Sequence, residues 1–255
     1  MTAPLIPGAD PWSHVADAPS APGALVIHGF TGNPGSMRGL AEAFAAAGFH
    51  VEMPLLPGHG TSLDDMLSTR WADWLGAAEA AYQRLAKRAE RTVVAGLSMG
   101  GALALRLGAD HSEICGLIAV NPATQPQPPE VIAMIQAMLA DGTEMLPPIG
   151  NDIADPDVHE SAYDGMPTRA LLSMMTDGLG PLIDTYPSAT VALLLMNSPQ
   201  DHTVEPAQAE FLAANWGGPL ERITLERSFH VATQDYDKDL IFQSSVAFAQ
   251  RVTGS

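Results

Sequence analysis

The sequence predicts an α/β fold in which a mostly parallel β-sheet carries helices on both faces. Six short apolar runs are suited to buried strands, and stretches of helical periodicity lie between most of them. Strands that alternate with helices imply crossover connections, which pair the strands in parallel and bury both faces of the sheet. The predicted strands are 24–28, 50–54, 92–96, 114–120, 191–196 and 221–225, and the predicted helices are 37–48, 72–90, 99–109, 206–215 and 237–252.

The alternation stops between Pro122 and Pro187. This stretch begins with four prolines, contains two helix-like segments at 130–140 and 168–176, and has no convincing strand. We interpret residues 123–186 as an inserted cap on a core formed by residues 1–122 and 187–255. A chain of 255 residues is long enough for one large α/β domain with such an insertion.

The insertion is rich in methionine. Methionine is flexible and polarizable, so a patch of it makes an adaptable apolar wall that suits an acyl chain. Packing within the insertion's own core explains the same enrichment equally well. Six of the 12 methionines lie there: Met134, Met138, Met145, Met166, Met174 and Met175.

Composition excludes several classes of partner. With a formal net charge of −17, most of the surface would repel a nucleic acid backbone, so we expect no nucleic acid partner. No run reaches the roughly 18 apolar residues of a membrane span. The single cysteine, Cys115, cannot form an internal disulfide, and no secretory signal is visible near Met1, so we expect a cytoplasmic protein.

The segment Gly96-Leu97-Ser98-Met99-Gly100 is the most informative motif. It follows an apolar run and opens a helical stretch, which predicts a sharp strand-to-helix turn with Ser98 at its tip. The N–H groups that follow the serine lie at a helix N-terminus, which favours negative charge nearby. Ser98 is therefore the candidate nucleophile.

A serine hydroxyl needs an adjacent base and a third group that orients the base. His230 is the candidate base, because its loop follows the last predicted strand and precedes the last helix; His59 and His202 also lie in candidate loops. Asp201 is the candidate acid, because it follows the predicted strand 191–196. Asp177 and Asp184 are alternatives if the insertion ends earlier than residue 186.

Acyl transfer also needs donors aimed at the oxyanion. Met99 N–H, directly after the nucleophile, is the first candidate. Phe30 N–H is the second, because glycines on both sides of Phe30 allow the backbone to approach a substrate.

These residues, in the order Ser98, Asp201, His230, resemble the α/β-hydrolase superfamily, and the sequence is similar to small bacterial monoacylglycerol lipases and related carboxylesterases. The resemblance extends into the insertion, at residues 149–153 and 157–160. By resemblance, Glu160 would accept hydrogen bonds from glycerol hydroxyls, Ile149 would line the alcohol pocket, and Asn151 would join them in binding substrate. The other segments that carry the resemblance are His28-Gly29-Phe30-Thr31-Gly32-Asn33-Pro34, Leu56-Pro57-Gly58-His59-Gly60, Gly96 to Gly101, Asp201-His202-Thr203-Val204 and Ser228-Phe229-His230-Val231-Ala232-Thr233.

The resemblance implies an α/β-hydrolase fold and a serine hydrolase of carboxylic esters. We expect cleavage of monoacylglycerol to glycerol and fatty acid through an acyl-enzyme on Ser98, with no metal ion and no organic cofactor. A general carboxylesterase or thioesterase is the first alternative, and a non-catalytic ligand-sensing protein is the second. The expected partner is a small lipid ester, with transient contact to lipid aggregates through an apolar cap edge; the oligomeric state does not follow from the sequence.

Overall fold

A seven-stranded sheet forms the centre of the structure, a computed structural model that describes residues 3–255. The strand order is β1-β3-β2-β4-β5-β8-β9, and only β1 runs antiparallel to its neighbour. Each predicted strand is present within one or two residues of its expected limits, and the predicted mostly parallel sheet is confirmed. The strands are β1 Trp12–His14, β2 Gly23–Ile27, β3 His50–Met53, β4 Thr92–Leu97, β5 Gly116–Val120, β6 Met145–Leu146, β7 Met166–Pro167, β8 Ala192–Asn197 and β9 Leu220–Thr224.

Helices cover both faces of this sheet. α3 and α4 contribute to the core on one face, and α1 and α9 to the core on the other. Among residues 3–255, no helix is long and apolar enough to span a bilayer. The helices are α1 Arg38–Ala46, α2 Leu63–Met66, α3 Trp71–Ala86, α4 Met99–Asp110, α5 Pro129–Ala140, α6 Thr168–Ser173, α7 Gly180–Leu182, α8 Ala207–Asn215 and α9 Lys238–Thr253.

Strand β2 shows why the central runs are uniformly apolar. Leu25 and Ile27 pack on the face covered by α3 and α4, whereas Ala24 and Val26 pack on the opposite face. All four side chains are fully buried. A strand covered on both sides has no solvent-facing positions, so the sequence shows a continuous apolar run rather than an alternation.

Strand β1 was absent from the prediction. It comprises three residues, half-buried or exposed, and it pairs only with β3. An edge strand this short needs no apolar run, so the sequence contains no strong signal for it. Within the insertion, the structure also adds the two-residue pairing of β6 with β7, where the sequence showed no strand.

The segment that we interpret as an insertion, residues 123–186, has two structural parts. Its first part, with α5 and the β6–β7 pair, extends from the end of β5, whereas α6 continues as a π-helix, Met174–Leu179, that packs against α3 and α4. Tyr186, near the end of the insertion, is fully buried, and its hydroxyl donates to Thr124 O at 2.6 Å. The latter part therefore also forms the helical crossover connection between β5 and β8. The division into core and cap at residues 123 and 186 stays a prediction.

Candidate active site

Ser98 lies at the tip of the turn between β4 and α4. Its backbone is in the left-handed region, with φ 56° and ψ −119°. A Cβ at Gly96 would lie 2.1 Å from Gly100 O, and a Cβ at Gly100 would lie 2.2 Å from Ile27 O. No side chain fits at either position, so the two glycines are a steric requirement of the turn.

The acid and base loops follow neighbouring strands. Asp201 follows β8 and His230 follows β9, and both side chains are buried. The Nδ1–H of His230 donates to Asp201 Oδ2 at 2.8 Å, while Asp201 Oδ1 accepts the N–H groups of Thr203 and Val204, each at 2.8 Å. One carboxylate oxygen thus fixes Asp201 in its own loop and the other orients the imidazole.

Ser98 and His230 line the same cavity. No hydrogen bond joins Ser98 Oγ to the imidazole among the residues that the structure describes. Without substrate, such a bond is often long and tightens only in the reactive complex. The structure therefore brings all three predicted side chains to one edge of the sheet, with the Asp201–His230 contact already formed.

The two candidate oxyanion donors belong to backbone segments next to Ser98. Met99 is the first residue of α4, and a Cβ added at Gly29, beside Phe30, would lie 3.3 Å from Ser98 Cβ. Within residues 3–255, neither the Phe30 nor the Met99 N–H donates to a protein acceptor. Both N–H groups are therefore free to bind a substrate oxygen.

Three non-glycine residues of the described chain have positive φ: Thr31, Ser98 and Asn121, with values of 61°, 56° and 42°. They follow the ends of β2, β4 and β5, so all three lie around the candidate site. For a β-branched residue such as Thr31 this conformation is a clear outlier. Strain of this kind persists only where surrounding contacts impose it, and it concentrates at functional sites.

Asn121 fastens the acid and base loops from the core side. Its Nδ2 donates to the carbonyl oxygens of Phe229 and His230, at 3.1 and 2.8 Å. Its Oδ1 accepts the N–H of Ser198 at 2.8 Å. The sequence does not indicate this role, because an asparagine after a strand is an ordinary turn residue until its distant partners are known.

Two cavities meet at Ser98. The smaller, with a volume of about 30 Å³, extends toward Glu160 and is lined by Thr31, Tyr163 and His230. The larger, with a volume of about 310 Å³, extends under the insertion. Its apolar wall includes Met166, Leu171, Met174, Met175 and Leu179. Three of the six insertion methionines therefore line a cavity that reaches the nucleophile.

Glu160 and Ile149 both line the smaller cavity, and Ile149 lines the larger one as well. The Glu160 carboxylate lies against the loop that follows β2 and contains the candidate donor Phe30. A Cβ added at Gly32 in this loop would lie 2.9 Å from Glu160 Oε1. Burial raises the pKa of Glu160 above its usual value, although the neighbouring His230 acts in the opposite direction.

Asn151 was expected to bind substrate, but the structure does not place it on either cavity. It is exposed, and its Oδ1 accepts the N–H of Glu160 at 2.8 Å while its Nδ2 donates to Val158 O at 3.2 Å. Its side chain closes a local loop and holds the backbone of Glu160 in place. Asn151 thus contacts a cavity-lining residue instead of lining the cavity.

The alternative bases and acids have other contacts. Burial lowers the pKa of His59 to about 4, and burial together with the charge of His59 lowers that of His28 to about 3. His202 is exposed at the rim of the larger cavity. Asp177 accepts hydrogen bonds from Ser173 and Thr176 in its own helical segment.

Comparisons of sequence and structure show which known proteins this chain is similar to. The sequence model of the Alpha/beta hydrolase family matches residues 24–241. The chain is 38% identical to a thermostable monoacylglycerol lipase of Bacillus sp. (strain H-257), over 98% of each protein, and 23% identical to a carboxylesterase of Bacillus subtilis (strain 168), over 89% of this chain and 92% of the relative.

A solved structure from work on LipS and LipT, two metagenome-derived lipolytic enzymes, superposes with a TM-score of 0.90. It is 38% identical and covers 97% of this chain and 100% of its own. The chain belongs to the alpha/beta hydrolase family. The fold class and the family that the sequence predicted are confirmed.

Proposed function

We propose that this protein hydrolyses monoacylglycerol to glycerol and a fatty acid through an acyl-enzyme on Ser98. The class of enzyme, a serine ester hydrolase, is confirmed by its relatives; the substrate and the role of each residue are the proposal. One observation carries it: Ser98 lies where a cavity lined by the acidic residues Asp152 and Glu160 meets a cavity walled by methionine and leucine. A monoacylglycerol has the same division, with a hydroxyl-bearing end and an apolar chain on either side of its ester.

In the first half of the reaction, Ser98 Oγ attacks the ester carbonyl and His230 takes the hydroxyl proton. Asp201, through its 2.8 Å contact with Nδ1, holds the imidazole in the required tautomer and stabilises its cation. The N–H groups of Phe30 and Met99 bind the oxyanion. When the tetrahedral intermediate collapses, the ester C–O bond breaks and His230 protonates the departing glycerol oxygen.

In the second half, water replaces the alcohol. His230 removes a proton from the water, which attacks the acyl carbonyl, and the same two N–H groups stabilise the second tetrahedral intermediate. His230 then returns the proton to Ser98 Oγ, and the fatty acid leaves. The acyl chain occupies the larger cavity throughout, where Met166, Met174 and Met175 adapt to its shape.

Replacement of Glu160 by alanine tests the glycerol site. A hydrogen bond to a charged acceptor contributes about 1.5–3 kcal/mol, so kcat/KM for monoacylglycerol should fall at least about tenfold. The kcat/KM for the ethyl ester of the same fatty acid should change by less than about twofold, because an ethyl group offers no hydroxyl to Glu160. Both values are obtained from initial rates in the same detergent micelles.

Glu144→Ala is the matched control, because Glu144 is an exposed glutamate of the same insertion that lines neither cavity. It should leave both rates unchanged. Equal losses on the two esters in Glu160→Ala would remove the glycerol assignment while leaving an esterase.

The raised pKa of Glu160 predicts a pH-dependent cost in stability. The folded state binds the proton of Glu160 more tightly than the unfolded chain does. The stability that comes from this difference is therefore fully present below the unfolded-state pKa, and it is lost as the pH rises through the folded-state pKa. Glu160→Gln cannot ionise, and it should therefore unfold at a higher temperature than the wild type at pH 8. The difference should shrink toward zero near about pH 4.

Calorimetry at both pH values measures this difference, with Glu144→Gln as the exposed control. A gain that is the same at both pH values would show that ionisation of Glu160 is not its cause.

We further propose a cytoplasmic location, which the single cysteine supports. The acidic surface supports the absence of a nucleic acid partner. Fractionation of the source cells, with the activity followed in each fraction, tests the location.

A further inference from the structure

The carboxylate of Asp152 bridges the loops that carry Asp201 and His230. Its Oδ2 accepts the backbone N–H of His202 at 2.9 Å, the backbone N–H of His230 at 3.3 Å and the hydroxyl of Thr203 at 3.3 Å. Its Oδ1 lies 2.7 Å from His202 Nδ1. The Asp152 side chain is 11% exposed, so these donors replace most of the water that a free carboxylate would bind.

Asp152 belongs to the part of the insertion that returns to the core, residues 151–160, which we call the return segment. The return segment is attached to the base loop, because Val231 N–H donates to Asp152 O at 3.0 Å. The buried carboxylate of Asp235 accepts the N–H groups of Ala154 and Asp155, at 2.7 and 3.1 Å. Asp152 is therefore held in a fixed position relative to His230.

The two loops are thus tied from opposite sides, by Asn121 from the core and by Asp152 from the insertion. Asn121 contacts Ser198 and the carbonyl oxygens of the base loop. Asp152 contacts the residue that follows Asp201 and the N–H of His230 itself. Asp152 therefore acts on the loop positions adjacent to the acid–base pair.

We propose that Asp152 is a positioning residue that sets the relation of Asp201 and His230 to Ser98, so that the triad is productive only with the return segment docked. The proposal rests on the function assigned to Ser98, Asp201 and His230 above. Its physical basis is that a hydrogen bond to an ionised acceptor is roughly twice as strong as one between neutral groups. A misplacement of reacting groups by about 1 Å can lower a rate by about 10²-fold.

The Asp152→Asn variant tests the proposal. Asparagine keeps the shape of the side chain but is neutral and carries one acceptor oxygen instead of two, so the N–H groups of His202 and His230 lose their bonds to a charged acceptor. A fluorophosphonate ester that labels Ser98 irreversibly separates two quantities: the final number of labelled sites per chain and the rate constant of labelling. We expect close to one site per chain, a labelling rate constant at least about tenfold lower, and a similar fall in kcat on both monoacylglycerol and a p-nitrophenyl ester with little change in KM.

Asp157→Asn is the matched control, because Asp157 is an exposed aspartate of the same return segment that lines neither cavity. It should label and turn over like the wild type. Thr203→Val removes a single donor to Asp152 while keeping the side-chain size, and it should slow labelling a few-fold. Because Thr203 also lines both cavities, this variant supports the proposal, if Asp152→Asn does not fold, only when kcat falls with little change in KM, and an unchanged kcat overturns it.

A merely structural role for Asp152 would lower the number of labelled sites and leave their rate constant unchanged, which would overturn the proposal. A wild-type rate constant at full labelling would overturn it as well. The Ser98→Ala variant separates these outcomes from a failure of the proposed function: if it still hydrolyses esters, the nucleophile is wrong, whatever Asp152 does.

Discussion

Ser98→Ala is expected to lower ester hydrolysis by at least about 10⁴-fold while the protein keeps its fold. The serine is the only triad member that forms the covalent intermediate in the proposed mechanism. Members of a triad act as a unit, so the remaining Asp201–His230 pair cannot compensate for it. Alanine retains the Cβ of serine, so the backbone at φ 56° experiences no new steric conflict.

Steady-state hydrolysis of a p-nitrophenyl ester and of monoacylglycerol measures this loss, and circular dichroism with thermal unfolding checks the fold. Ser68→Ala is the control, because Ser68 is an exposed serine at which the same substitution should leave the rate unchanged. Turnover near the wild-type level in Ser98→Ala would require another nucleophile.

The features that the sequence predicted well have local causes. The turn at Ser98 needs glycines at fixed positions between a buried strand and a helix, and all of these lie within a few residues of one another. The order of the triad then follows from topology, because loops after parallel strands collect at one edge of the sheet. The structure brings Asp201 and His230 together at that edge, in contact at 2.8 Å.

The features that the sequence could not predict depend on contacts between distant residues. Asp152 meets His202 and His230 across 50 and 78 positions of the chain. It lies in the segment 149–153 that carries the resemblance, but no local pattern indicates these partners. Asn121 reaches Phe229 and His230 in the same way. Strand β1 gave no signal because one neighbour and little burial impose no hydrophobic pattern.

Asn151 illustrates a different limit. Resemblance placed it with the substrate-binding residues, and the structure places it beside one of them, with its Oδ1 on the N–H of Glu160. Two proteins can share a segment because it keeps the same loop shape or because it binds the same ligand. The sequence does not distinguish these two reasons. The contacts of the Asn151 side chain, and its absence from the lining of both cavities, favour the first reason.

Gly100→Ala is expected to have the largest effect on stability, a loss of at least about 3 kcal/mol of unfolding free energy. The added Cβ would lie 2.2 Å from Ile27 O and 2.6 Å from His28 O. Both obstacles are backbone atoms at the end of β2, so no side-chain rotation relieves the conflict. Any relaxation has to separate α4 from β2, which also moves the Met99 N–H away from that of Phe30.

Urea unfolding measures this loss. Gly76→Ala is the control, and we expect it to increase stability instead. Gly76 lies on the exposed side of α3, and a Cβ there would meet no atom within 4 Å. Alanine at this position should therefore raise the unfolding free energy by about 0.5–1 kcal/mol, because it lowers the conformational entropy of the unfolded chain and has a higher helix propensity than glycine. A Gly100→Ala variant as stable as the wild type would show that close packing of the Ser98 turn on β2 does not require glycine there. A large loss at Gly100 beside a gain at Gly76 would show that the turn packs closely on the end of β2, and this packing brings the backbone segments of the two candidate oxyanion donors together.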